Sequence, residues 1–252
     1  MKIYIITHKK YNFPVHEKIY QPLLVGADFH DDCFGYCCDN DFEGNISYKN
    51  KSFCELTGLW KIYQTPGEDI VGLCHYRRYF TKHKRFFQKS GILKENEISS
   101  ILDNYDTILP IRGNNEYNGK NAKEFFNEKH DPKIWDICND IIKEKYPEFI
   151  PDFDWFAEQN IGYCYNMFIM KKNILNEYCK WLFSILFELE RRSDISKYNN
   201  YNQRMYGFVS ERLINVWVHH KNLKVKEEYI YNPEGPGLVT KAIRKIRKRI
   251  KA

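Results

Sequence analysis

Apolar and polar positions change period several times along the chain. Residues 2–7, KIYIIT, are apolar, β-branched and closed by polar residues, which predicts a short buried strand. A loop-rich stretch follows to about Ser47, through Pro14, Pro22, Gly26, Gly35, Gly44 and the polar run Asp39-Asn40-Asp41. Leu56, Leu59, Trp60 and Tyr63 share one face of a predicted helix over 52–64. Ser52 and Glu55 there have capping-box spacing, and Pro66-Gly67 stops the helix. Residues 69–74, DIVGLC, read as a buried strand that runs into His75-Tyr76-Arg77-Arg78-Tyr79-Phe80. Further strands are predicted over 105–109 and 161–170, and helices over 133–145, 172–191 and 208–220. This alternation predicts an α/β fold, a sheet with helices on both faces. We expect a single domain over residues 1–236 and a tail over 237–252.

Charge sharpens the division. Seven of the 39 Lys and Arg lie in residues 241–252, which hold no acid; without them 32 basic residues meet 33 acidic ones. A nearly neutral body argues against a nucleic-acid groove, so no nucleic acid is expected as a partner. In the tail, Ile243, Ile246 and Ile250 recur at helical spacing among the cations, a pattern suited to an anionic membrane surface. No segment approaches the roughly 20 apolar residues of a membrane span. The expected location is cytoplasmic, peripheral on the inner face of the plasma membrane. There the eight cysteines should stay reduced, and Cys33, Cys37 and Cys38 lack the second ligand pair of a zinc site. The aromatic share of 16% fills a core, but Tyr and Trp also suit sugar surfaces.

Eight phrases, in order, carry a resemblance. They are THKK (7–10), LLVGA (23–27), DNDFEGNIS (39–47), ELTGLWKIY (55–63), VGLCHYRRYF (71–80), NMFIMKK (166–172), YCKWLFSILFELE (178–190) and SERLINVWV (210–218). Together they resemble a bacterial family of capsule and exopolysaccharide glycosyltransferases with a HYRRY motif, long catalogued as a domain of unknown function. Where that family carries a pattern like DNTGDNIS, this chain has one residue more. The resemblance implies a GT-A-like, Rossmann-related mixed sheet. It also implies transfer of a hexose, or galactofuranose, from a UDP-linked or other nucleotide sugar. The acceptor would be a lipid-linked oligosaccharide of capsule, exopolysaccharide or O-antigen synthesis. A non-catalytic carbohydrate-binding protein of the same pathway is the alternative.

Such a transfer must stabilise a departing diphosphate. GT-A-like enzymes commonly use a divalent metal on Asp-x-Asp, whereas here the second strand opens into His75-Tyr76-Arg77-Arg78. Guanidinium groups offer fixed charge and paired donors to phosphate, so no metal cofactor is expected, with Mn or Mg as the alternative. If strand geometry continues past His75, only one of Arg77 and Arg78 faces the phosphate. Donor contacts are expected from Thr7, His8 and Lys9 at the first strand's exit, from Asp39, Asn40 and Asn45, and from Tyr76 and Asn166. Glu211, near the start of the helix over 208–220, is the first candidate for the base that deprotonates the acceptor, with His75, His130, Asp136 and Asp154 in reserve. His130, Asp154 and Trp155 are expected at the acceptor.

Overall fold

Side-chain alternation along β1 (Lys2–Thr7) sets the architecture. Ile3 and Ile5 enter one core, while Tyr4 and Ile6 pack into another across the sheet. The computed structural model describes residues 1–15, 17–113 and 119–235. In chain order the elements after β1 are β2 (Tyr20–Leu24), β3 (Cys37–Cys38), α1 (Asn50–Phe53), α2 (Leu56–Gln64), β4 (Ile70–His75) and β5 (Tyr79–Thr81). Then come α3 (Glu95–Leu102), β6 (Thr107–Pro110), α4 (Ala122–Lys129), α5 (Pro132–Lys145) and α6 (Ile150–Ala157). β7 (Phe168–Lys171), α7 (Lys172–Arg192), α8 (Met205–His220) and β8 (Val225–Tyr231) complete the described part.

The strands form one mixed sheet in the order β3-β2-β1-β4-β7-β6-β8-β5. β1 pairs in parallel with both β2 and β4, so their C-terminal ends open side by side. β7 runs antiparallel between β4 and β6. The sheet curls, because β5 pairs with β8 at the far end while the turn after β4 ties it back to His75. Helices lie on both faces, unequally. α2 and α4–α8 build the larger core around Phe53, Leu59, Leu182 and Trp217, whereas α3 covers the other face with Ile98 and Leu102. Gly58 lets α2 lie close on the sheet: a Cβ there would stand 2.8 Å from Ile6 Cδ1 and 2.9 Å from Val25 Cγ1. Among the described residues no helix is long and apolar enough to cross a membrane.

Several boundaries differ from the sequence pattern. The loop-rich stretch contains β2, with Pro22 inside it; β3 pairs only along Leu23 and Leu24, so the sheet is open on that side at Pro22. The segment 161–170 is a strand only from Phe168; the residues before it form a loop bridged to Gly113 through Gly162. The helix expected over 52–64 is broken at Cys54, where φ is 52°, and Ser52 Oγ donates to the Lys49 carbonyl instead of capping. Cys33 and Cys38 are joined by a disulfide, contrary to the expectation of eight reduced thiols; the other six are free. The tail over 237–252 lies outside the described residues.

Candidate active site

β1, β2 and β4 deliver Thr7, Val25 and His75 to the rim of one cavity of about 700 Å³. This is the carboxyl edge of parallel strands, where open α/β sheets bind their ligands. α8 closes the far side with Phe208, Glu211 and Arg212, and the break between α1 and α2 contributes Cys54 and Glu55.

The HYRR segment is not an extended strand. β4 stops at His75, and Tyr76-Arg77 form a two-residue turn closed by reciprocal backbone bonds between His75 and Arg78, of 2.9 and 3.2 Å. The turn, rather than strand alternation, therefore decides the side-chain directions, and both Arg77 and Arg78 line the cavity. Arg78 lies over the Tyr165 ring at 4.4 Å. Arg77 is 48% exposed, lies over Tyr76 at 5.1 Å and is 3.7 Å from the Glu234 carboxylate. Lys51, Lys129, Arg204 and Arg212 line the same cavity, against the carboxylates of Glu55 and Glu211. The balance of charge favours an anion.

Glu211 lies in the second turn of α8, which begins at Met205, so it is further from the helix start than the sequence pattern suggests. Its carboxylate accepts from Arg212 Nη1 at 2.8 Å, and 21% of its side chain is exposed. Burial, with Glu55 adding to it, pushes the Glu211 carboxyl up to about 8 against the pull of Arg212, Arg78 and Arg204. A carboxyl of this kind exchanges its proton near neutral pH, as a general base requires. Burial lowers the proton affinity of His75, with Arg78 adding to it against the pull of Glu55, and its Nε2 stands 3.3 Å from the Asn166 carbonyl. Burial also lowers His130 to about 4; its Nδ1 meets Asn202 Oδ1 at 2.7 Å and its ring stacks on Phe208 at 4.5 Å.

The expected donor residues divide. Thr7, His8 and Tyr76 line the cavity. Thr7 Oγ1 donates to the Lys9 carbonyl, and Lys9 Nζ lies over the Tyr76 ring at 5.1 Å, beside the rim. Burial, Lys9 and Arg77 depress His8. Asp39, Asn40 and Asn45 do not reach the cavity. Asp39 is fully buried and accepts from the Gly26 and Ala27 amides and the Ser47 and Thr57 hydroxyls, so it ties β3 to α2 and leaves nothing for a ligand. Asn40 donates to Asp28, and Asn45 to the Asn40 and Phe42 carbonyls, as residues fixing their own loop. Asn166 does not line the cavity: its side chain is committed to Glu55, Gly207 and Ser210 and braces the wall.

The acceptor residues divide as well. His130 lines the cavity, whereas Asp154 and Trp155 on α6 line separate depressions outside it. Trp155 stacks on His219 at 3.6 Å, and Asp152 holds both His219 and His220, at 2.5 and 2.8 Å. Asp136 lies with Asp154. No group of three or more His, Cys, Asp or Glu side chains among the described residues is placed to hold a metal.

Glu55, Arg204 and Arg212 were not singled out from sequence. Glu55 satisfied a capping-box reading, which concealed it. Arg204 lies just before α8, whose start at Met205 falls ahead of the 208 expected from the pattern, so its place at the helix N-terminus was not visible in sequence.

Comparisons with known proteins bear on the fold and the family. The apo structure of WbbM, a bifunctional glycosyltransferase, superposes with a TM-score of 0.85 at 28% sequence identity, covering 93% of this chain and 45% of that one. The chain therefore has the fold of a glycosyltransferase while spanning less than half the length of that protein. No curated protein matches it in sequence. Residues 2–222 match the model of a domain of unknown function, DUF4422, and the chain belongs to that family.

Proposed function

We propose that the chain is a glycosyltransferase domain that takes a hexose from a nucleoside diphosphate donor, UDP-linked in the first instance, and passes it to a surface-polysaccharide acceptor. One observation carries this reading: a cavity at the strand ends brings two adjacent arginines together with a largely buried carboxyl poised near neutral pH. Arg77 and Arg78 hold the diphosphate and stabilise the charge that develops on it as the sugar–oxygen bond breaks. Guanidinium donors supply that stabilisation without a divalent metal. Glu211 receives the proton of the acceptor hydroxyl, and His130 lines the acceptor side. Thr7, His8 and Tyr76 bound the nucleotide.

A lipid-linked acceptor at an anionic membrane fits the seven cations of residues 241–252, which would hold the domain at the inner face of the membrane. The test is a thermal-shift screen with UDP-, GDP-, TDP- and CMP-sugars, followed by a transfer assay with the donor that stabilises the fold. Stabilisation by a nucleoside diphosphate sugar, with sugar release or transfer, is expected. Binding without turnover would favour a non-catalytic carbohydrate-binding role, and no nucleotide binding would remove the proposal.

A further inference from the structure

Glu55 is a carboxylate placed where local structure gives it no task. It precedes α2 yet makes no side-chain capping bond. It follows Cys54, whose φ of 52° and ψ of −127° a residue with a Cβ adopts only under strain. Its side chain is nevertheless fixed, because Asn166 Nδ2 donates to Oε1 at 2.7 Å. Asn166 is 4% exposed and firmly held: Nδ2 also donates to the Gly207 carbonyl at 3.3 Å, and Oδ1 accepts from the buried Ser210 hydroxyl at 2.7 Å. A brace thus runs from α8 through Asn166 to Glu55. Oε2 has no hydrogen-bond partner among the described residues, and no cation there forms an ion pair with Glu55.

That arrangement is costly for a site that only binds phosphate. Glu55 lies close enough to Glu211 and Arg204 to influence the proton affinity of both. A carboxylate in no ion pair among the described residues, set beside the arginines, works against the diphosphate they collect. It favours a neutral ligand with hydroxyl donors, since a hydroxyl–carboxylate bond is charge-assisted. Acceptors of this kind are scarce in the cavity. Lys51, Arg77, Arg78 and Arg204 offer only donors, and Glu211 is engaged with Arg212.

We propose that Glu55, locked by Asn166, is the sugar-recognition residue of this cavity and accepts hydroxyl hydrogens from the hexose of the donor. The proposal rests on the glycosyltransferase reading and adds the residue that distinguishes a sugar nucleotide from the bare nucleotide.

Isothermal titration of the full chain tests it, with UDP, GDP and TDP and with their glucose, galactose, galactofuranose, mannose and N-acetylglucosamine conjugates. The expected result is that one conjugate binds the wild type more tightly than its own nucleoside diphosphate. Glu55→Gln keeps the Asn166 bond through its amide oxygen, so the fold should persist. It should abolish the conjugate's advantage, a loss of roughly ten- to a hundredfold as for a hydrogen bond to a charged group. Affinity for the bare nucleotide should hold or rise. Glu55→Asp, charged but shorter, should lose the same advantage without the gain in nucleotide affinity. Equal weakening of nucleotide and conjugate in Glu55→Gln would mean a merely structural role and overturn the proposal. So would a wild type that binds every conjugate no better than its nucleotide. No nucleotide binding at all would overturn the glycosyltransferase reading itself, a separate and recognisable result.

Discussion

Replacing Glu211 with Gln should stabilise the protein while disabling it. The Glu211 carboxyl lies at about 8 in the fold against an ordinary 4.5, with burial as the main cause. A raised carboxyl binds its proton more tightly folded than unfolded, so stability falls as pH rises from 4.5 and levels off above 8. Each tenfold change in proton affinity is worth about 1.4 kcal/mol. At pH 7 the folded carboxyl retains its proton and the unfolded one has lost it, a penalty of roughly 3 kcal/mol. Above pH 8 it reaches its ceiling of about 5 kcal/mol, and near pH 4 it vanishes. Water in the cavity reaches the exposed fifth of the side chain, so measured values should fall below these ceilings. An amide has no proton to lose and carries none of the penalty. Thermal melts of both proteins at pH 4, 7 and 8.5 should therefore coincide at the lowest pH and diverge upward, with Glu211→Gln the more stable. At pH 7 the gain should reach several degrees, at about 2–4 °C per kcal/mol for a chain of this size. Transfer should meanwhile drop by about 10²–10⁴, the usual contribution of a general base. A difference in stability that ignores pH, or a variant less stable at pH 8.5, would refute the assignment of Glu211 as a carboxyl buried against its charge.

The same group predicts that kcat/KM rises with pH and levels off above about 8, gaining about tenfold between pH 7 and 9 as Glu211 ionises; a flat profile would move the base elsewhere. Arg78→Ala should lower turnover by about 10²–10³, and Arg77→Ala by less, since Arg77 is more exposed and shares Glu234; folded variants with wild-type turnover would contradict the phosphate role. Transfer should persist in excess EDTA, and a complete loss reversed by manganese would contradict catalysis by arginine alone. Deleting residues 241–252 should spare transfer to a short soluble acceptor but weaken co-sedimentation with anionic vesicles, each cation being worth roughly 1 kcal/mol there; equal sedimentation of both forms would make the tail irrelevant to membranes.

The parts legible in sequence were those with a clear apolar run or stripe. α7 keeps an apolar stripe along its length, whereas β1 and β4 are short apolar runs buried on both faces and α8 is buried nearly all round, so in each case the residues announce the element. β2 was hidden by Pro22, which is acceptable only because β3 is too short to need its amide. The HYRR segment was recognised as chemistry, but its geometry was not readable. Strand alternation would have sent one arginine away, and only the two-residue turn, fixed by backbone pairing of His75 and Arg78, brings both to the cavity. Asp39 and Asn166 show the converse. Polar residues in promising motifs were spent on the fold, because buried polar groups must be satisfied and their partners lie far away in sequence. Glu55 was concealed by a plausible local role that the strained Cys54 backbone cancels.

The crowd of cations around the cavity also has a bearing on traffic through it. A nucleoside diphosphate that has lost its sugar carries one negative charge more than the donor it came from. Lys51, Arg77, Arg78 and Arg204 would therefore attract the spent nucleotide more strongly than the fresh one, and the hexose contact to Glu55 would have to outweigh that difference for the donor to displace it. Under the proposed transferase role the spent nucleotide would compete with the donor for this cavity, and raising the salt, by screening the cations, should weaken that competition.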